Sequence, residues 1–257
     1  MTNQLLLSLI TGIFIGGVAG YLGTLMVIRR MSVTVDPLSH LVLPGIALAL
    51  LFHFDVSLGA LLSILFGMIL IWFLEMKTKL STETLIAVVF TLGVALALLI
   101  LPEAEIEEIF VGDISKINFL STVISVILSI LIFLIIRKIY SKMILIEISE
   151  DLAKVEGINS KKLLFIYLFS VAIIVALGIK IVGGLLTASL IAIPAATAKN
   201  LSKNLSQYSI LGIFLGILFP LLGIFLFKFF PFPAGILITL VGGSLFLTSL
   251  IFKKKNI

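Results

Sequence analysis

Long apolar runs separated by short polar breaks dominate this chain, in place of the one-faced stripes of soluble helices or strands. Nine runs read as membrane-spanning helices, at about 5–28, 38–54, 58–74, 84–101, 119–136, 163–179, 181–196, 210–227 and 234–252. Most approach the roughly 20 residues that carry a helix across a bilayer. The second is short and begins late, and the seventh is parted from the sixth only by Lys180 and two glycines. The first has neither a short basic leader nor a small-residue cleavage site, so it reads as a retained helix. The pattern predicts an all-α polytopic membrane helix bundle of about nine spans, forming a single transmembrane domain over residues 1–257.

Composition agrees. Of the 257 residues, 61% are hydrophobic and 12% charged, against roughly 45–50% and 25% in soluble domains. Soluble enzymes, disulfide scaffolds and disordered tails are excluded, and the lack of cysteine removes thiolate metal sites and thiol nucleophiles. Charge then sets the orientation. With the N-terminus outside, fifteen of the eighteen Lys and Arg residues fall on the inner side and only Lys116, Lys180 and Lys228 on the outer, as the positive-inside rule requires. The net charge of +5 is therefore a topology signal beside anionic lipid and not a nucleic-acid footprint.

Two connecting segments differ in kind. The outer loop at 102–117 carries Glu103, Glu105, Glu107, Glu108 and Asp113 against Lys116, and reads either as a solvated loop or as a surface for an outside partner or cations. The inner segment at 137–162 holds Ser149, Glu150, Asp151, Leu152, Ala153, Lys154, Val155, Glu156 and Gly157. Ser149 can cap a short helix, Asp151 suits its first turn, and Gly157 can end it. Such a helix could lie on the membrane interface or dock a cytoplasmic partner.

Polar chemistry is concentrated where the second run begins. Asp36 and Pro37 form a helix start, and His40 lies four residues on, so the two side chains can share a face. A carboxylate oxygen and an imidazole nitrogen suit Zn²⁺ or Mn²⁺, although two groups do not complete a site. A cap and a buried polar residue are the plainer reading. Ionisable groups entering a membrane helix nevertheless tend to face an interior path. Pro44 cannot donate to the carbonyl of His40, so the helix can bend there. Gly183, Gly184 and Pro194 mark a second weak spot, read as close packing or as a helix that shifts. Gly12, Gly16, Gly17, Gly20 and Gly23 form a packing stripe on the first helix. His53 and Asp55 fit a polar turn. No P-loop and no His-Glu-x-x-His motif occurs, and Gly242-Gly243-Ser244 is better explained by packing than by a protease.

These residues also carry a family resemblance. Arg29-Arg30-Met31-Ser32, Asp36, Ser39-His40 and Leu43-Pro44-Gly45-Ile46-Ala47 resemble the Arg-Arg-Met-Ser, Gly-Asp-x-x-Ser/Ala-His and Leu-x-Gly-x-Ala runs of bacterial ABC-3 metal permeases. Phe110-Val111-Gly112-Asp113, Asp151-Leu152-Ala153 with Gly157-Ile158, Val182-Gly183-Gly184-Leu185-Leu186, Ile193 to Ala198, and Pro233-Ala234-Gly235 follow in the family's order. Two departures stand out: Val35 replaces the usual glycine before the aspartate, and Val111 interrupts Phe-Gly-Asp.

The resemblance implies a permease subunit without covalent chemistry. It would import zinc or manganese, with iron as a further cargo, and bind no stable cofactor. It implies a homodimer in the bacterial cell membrane, a pair of cytoplasmic P-loop ATPase subunits and an external solute-binding protein. It places Asp36 and His40 on the translocation path. An iron-chelate permease and an ion-coupled secondary carrier are the alternatives, although the inverted repeats common in such carriers are not evident.

Overall fold

A computed structural model describes residues 2–78, 80–100, 114, 117–183 and 187–252. The described residues form helices: α1 (Thr2–Ile28), a 3-10 turn (Ser32–Thr34), α2 (Val35–His40), α3 (Leu43–Leu51), α4 (Val56–Lys77), α5 (Thr82–Ile100), α6 (Phe119–Ile148), α7 (Glu150–Val155), α8 (Ser160–Val182), α9 (Thr187–Leu201), α10 (Leu205–Leu226) and α11 (Ala234–Ile251). The helix bundle is as expected. Among the described residues seven helices, rather than nine, are long and apolar enough to cross a membrane: α1, α4, α5, α6, α8, α10 and α11.

The other two expected spans are shorter, and each has a local cause. The run at 38–54 becomes α2 and α3, parted by a turn at Leu41 and Val42. Pro44 stands in the first turn of α3, and its missing N–H removes the bond that would have tied it to His40. The run at 181–196 starts late because Gly183, at φ 85, ends α8, a left-handed conformation that favours glycine. Ile181 and Val182 therefore finish α8, and α9 begins at Thr187, whose hydroxyl donates to the Gly183 carbonyl. At 15 residues, α9 is only about 22 Å long. It runs on through the buried Pro194. Gly184 lies outside the described residues, as does most of the acidic segment at 102–117, including Phe110 to Asp113.

Two packing zones result. The first is a spine around α1, whose central glycines meet those of α10. A Cβ on Gly16 would strike the Gly216 carbonyl, one on Gly20 the Gly212 carbonyl, and one on Gly216 the Gly16 carbonyl. The backbones therefore touch through two small-xxx-small pairs, which brings the helix surfaces into dispersion contact where lipid gives no hydrophobic drive. Pro220 and Ile224 continue the contact at Gly12, and Ile191 of α9 meets Gly23. The stripe expected on α1 is a packing stripe, and its partner on α10 is equally glycine-rich.

The second zone is the layer of α3, α4 and α5, where Gly45 and Gly59 make a similar close crossing. The short α2 packs on α5 from this layer and on α8 and α9 from the spine side. It occupies the seam between the zones.

The segment 137–162 is mostly helix. Helix α6 runs unbroken for 30 residues, about 45 Å, because no glycine or proline interrupts it and Arg137, Lys138 and Lys142 are good helix formers. The short α7 follows. The Ser149 hydroxyl accepts from the Leu152 N–H at 3.3 Å, as its position suggests. Gly157 closes the helix at φ 71, with Ile158 N–H bonded to the Ala153 carbonyl and Gly157 N–H to that of Lys154, a Schellman ending.

Candidate functional site

The chain reaches the seam through a tight reversal. Helix α1 ends with Met31 N–H on the Met26 carbonyl and Arg30 at φ 57, after which the 3-10 turn runs directly into α2. Thr34 is already in the right-handed helical region, at φ −69 and ψ −21, and holds the cap position without a side-chain capping bond. Asp36 lies inside the first turn and not at the cap. The reason is local: the 3-10 turn delivers a helical backbone two residues early, with Thr34 and not Asp36 at the cap. A carboxylate in the first turn still complements the positive end of the helix.

Asp36 and His40 come together as their spacing predicts. Asp36 Oδ1 lies 3.8 Å from His40 Nε2, with the carboxylate side chain 56% exposed and the imidazole 10%. One group faces open space and the other is held in the packing. Ser39, between them, is fully buried and donates to the Asp36 carbonyl at 2.7 Å. Among the described residues no third His, Asp or Glu completes a metal-binding cluster. Among the described residues the pair therefore brings one carboxylate and one imidazole together.

Sequence reasoning missed the residues that hold this pair in place. The Phe90 ring on α5 lies 5.6 Å from the His40 ring, tilted 32° to it. At the α2–α3 break the Ser63 hydroxyl of α4 donates to the Leu41 carbonyl at 2.7 Å. Pro44 rests against Gly93 of α5, and Gly45 against Gly59 of α4. Gly59 and Gly93 could have been noticed as small residues in apolar runs. Phe90 gives no sign among 20 phenylalanines.

The remaining candidates lie elsewhere. Gly183 and Pro194 belong to the α8–α9 connection and to α9, and both are buried. In α7, Ala153 is buried while Glu150, Asp151, Leu152, Val155 and Gly157 are exposed. Leu152 and Val155, with Ile148 just before, form an apolar patch at 56%, 86% and 73% exposure. Lys154 pairs with Glu150 at 3.2 Å, an exposed contact worth little stability. His53 and Asp55 form the α3–α4 turn, where Asp55 accepts from the Leu58 N–H at 3.1 Å, a cap.

Comparison with known proteins places these features in context. The sequence model of the ABC 3 transport family matches residues 1–253. The chain is 30% identical to the high-affinity zinc uptake system membrane protein ZnuB of Haemophilus influenzae, over 97% of each chain. It is 29% identical to the manganese import system permease protein ScaB of Streptococcus gordonii, over 97% of this chain and 91% of that one. Among solved structures, PsaBC from Streptococcus pneumoniae in complex with Fab matches with a TM-score of 0.81 and 27% identity, covering 94% of this chain and 89% of that chain.

Proposed function

The chain belongs to the ABC 3 transport family, and from that premise we propose that it is the membrane permease subunit of an ATP-driven importer of divalent transition-metal cations. Zinc and manganese are the first candidates, supported by the names of the similar zinc and manganese permeases, and iron is the third. The observation that carries the reading is the Asp36–His40 pair in a seam beside a broken helix. A borderline cation accepts both donors. A second copy across a shared path would bring the protein ligands to four. With no thiolate, and water free to complete the shell, such a site suits transient handling better than permanent capture.

The permease acts as a single domain over residues 1–257. ATP hydrolysis resides in a pair of cytoplasmic P-loop subunits, and an external solute-binding protein delivers the ion. Nine crossings, with α2–α3 and α9 as the two short ones, put the N-terminus outside and the C-terminus inside, a reading supported by the Lys and Arg distribution. The segment 137–162 then lies inside, and its α7 patch of Ile148, Leu152 and Val155 is the coupling surface. Stabilised by its own cap and Schellman ending, α7 can transmit movement as a rigid unit.

Reconstitution with the ATPase and receptor tests this directly. Uptake of labelled Zn²⁺ or Mn²⁺ should require ATP and fall to background in His40→Leu. Uptake of neither metal, or full transport without the imidazole, would contradict the proposal. Side-specific reporters on the two termini test the orientation separately.

A further inference from the structure

Helix α6 has two faces, of which the described residues cover one. Ser129, Ile132, Ile136 and Tyr140 are buried at three- and four-residue spacing along it. Tyr140 stacks on Tyr21 of α1 with ring centroids 4.8 Å apart, its hydroxyl meets Thr24 Oγ1 at 3.0 Å, and the Phe133 ring lies 5.3 Å from that of Tyr21. The opposite face carries an open groove of about 880 Å³. Exposed Ile127, Ile130, Leu131 and Leu134 line its length, and exposed Arg137 and Lys138 line one end. Neither cation is in an ion pair with a carboxylate among the described residues.

Length and charge together select the occupant. Helix α6 carries no charged residue from Phe119 to Ile136. Arg137 lies eighteen residues beyond Phe119, about 27 Å along the axis, close to the roughly 30 Å of a hydrocarbon core. The two cations therefore stand where hydrocarbon gives way to headgroups. From Ile127 to Lys138 the groove spans about 16 Å, the depth of one leaflet of that core. An apolar body one leaflet long, with positive charge at one end only, matches an amphiphile with an acyl chain and an anionic head. The guanidinium can give a phosphate two parallel hydrogen bonds, and the ammonium adds a point charge. A zwitterionic head would bring its own cation against both. The contacts with α1 hold this part of α6 in place, so little ordering of the helix opposes binding.

We propose that the α6 groove is a binding site for an anionic phospholipid, with an acyl chain along Ile127, Ile130, Leu131 and Leu134 and the phosphate on Arg137 and Lys138. Basic clusters at the end of a membrane helix attract such headgroups. That the leaflet is the inner one rests on the topology proposed above; the groove and its chemistry do not.

The test uses the permease–ATPase complex, delipidated in detergent and then supplied with phosphatidylglycerol or phosphatidylcholine. Native mass spectrometry should count retained phosphatidylglycerol well above phosphatidylcholine on the wild-type complex. Arg137→Gln with Lys138→Gln should lower that retention about tenfold or more. Lys161→Gln with Lys162→Gln removes the same charge from exposed positions in the first turn of α8 and should leave it nearly unchanged. Equal retention of the two lipids by the wild type would overturn the proposal. So would equal losses in the two double variants, which would mark a diffuse surface charge. Because the chain has no cysteine, Leu134→Cys gives the groove a single thiol. Oxidation in membranes should yield no linked pair of permeases; a disulfide-linked dimer would overturn the lipid assignment in favour of a second copy on this face.

Discussion

The spine around α1 and the seam around α2 are both built on glycine contacts, but they spend them differently. In the most apolar stretch of α1, 61% of residues are buried, against 22% in α5 beside the seam. Along the spine, two long helices touch backbone to backbone over successive turns, and charged side chains stay at the ends. At the seam, the glycine crossing holds a helix that is short, broken at Leu41 and Val42, and loaded with a carboxylate and an imidazole. Close packing fixes the position of a helix. Where the helix is interrupted, the same packing can hold a polar pair steady and still leave one member open to a passing ion.

That contrast can be broken by substitution. The largest effect is expected on the spine. Gly16→Val or Gly20→Val puts carbon into a neighbouring backbone carbonyl, which no rotamer change relieves. A loss of about 3 kcal/mol or more should show as little folded, monodisperse protein after detergent extraction. Gly45→Ala creates the same clash at the seam, on a shorter helix with more freedom to shift. Its extraction yield should fall less, and its metal uptake more, than in the spine variants. Next comes Leu152→Asp with Val155→Asp. Both residues are exposed, so thermal stability should hold while ATP-driven uptake drops at least about tenfold through lost docking. The smallest effect is Gly157→Ala. No neighbour stands in the way, but the positive φ costs about 1–2 kcal/mol, seen as a modest fall in the unfolding midpoint.

Much of this fold is legible in the sequence because membrane helices announce themselves through length and apolarity. The α1 glycine stripe, the Ser149 cap and the Gly157 ending are local signals, and each is realised. Asp36 and His40 could be paired because four-residue spacing is a property of one helix. The cap position was misjudged because the preceding 3-10 turn is not written in any single residue. The number of long spans was overestimated because hydropathy counts apolar residues and does not see that Gly183 and Pro44 shorten the helices they border. The partners of His40 and of the stripe, namely Phe90, Ser63, Gly212 and Gly216, depend on which helices meet. Without a second sequence to covary with, hydropathy carries no such pairing.

Whether the Asp36–His40 pair handles the ion while the spine only holds the scaffold turns on one substitution. Asp36→Asn keeps the size of the side chain and alters a group that is more than half exposed, so folding and assembly should survive. In proteoliposomes containing the full complex and receptor, ATP turnover and uptake of labelled Zn²⁺ and Mn²⁺ are measured together for wild type and Asp36→Asn. The variant should assemble, retain ATP turnover and move neither metal above background. Transport of either metal at the wild-type rate by Asp36→Asn would contradict that role for the pair and reduce Asp36 to a first-turn charge on α2.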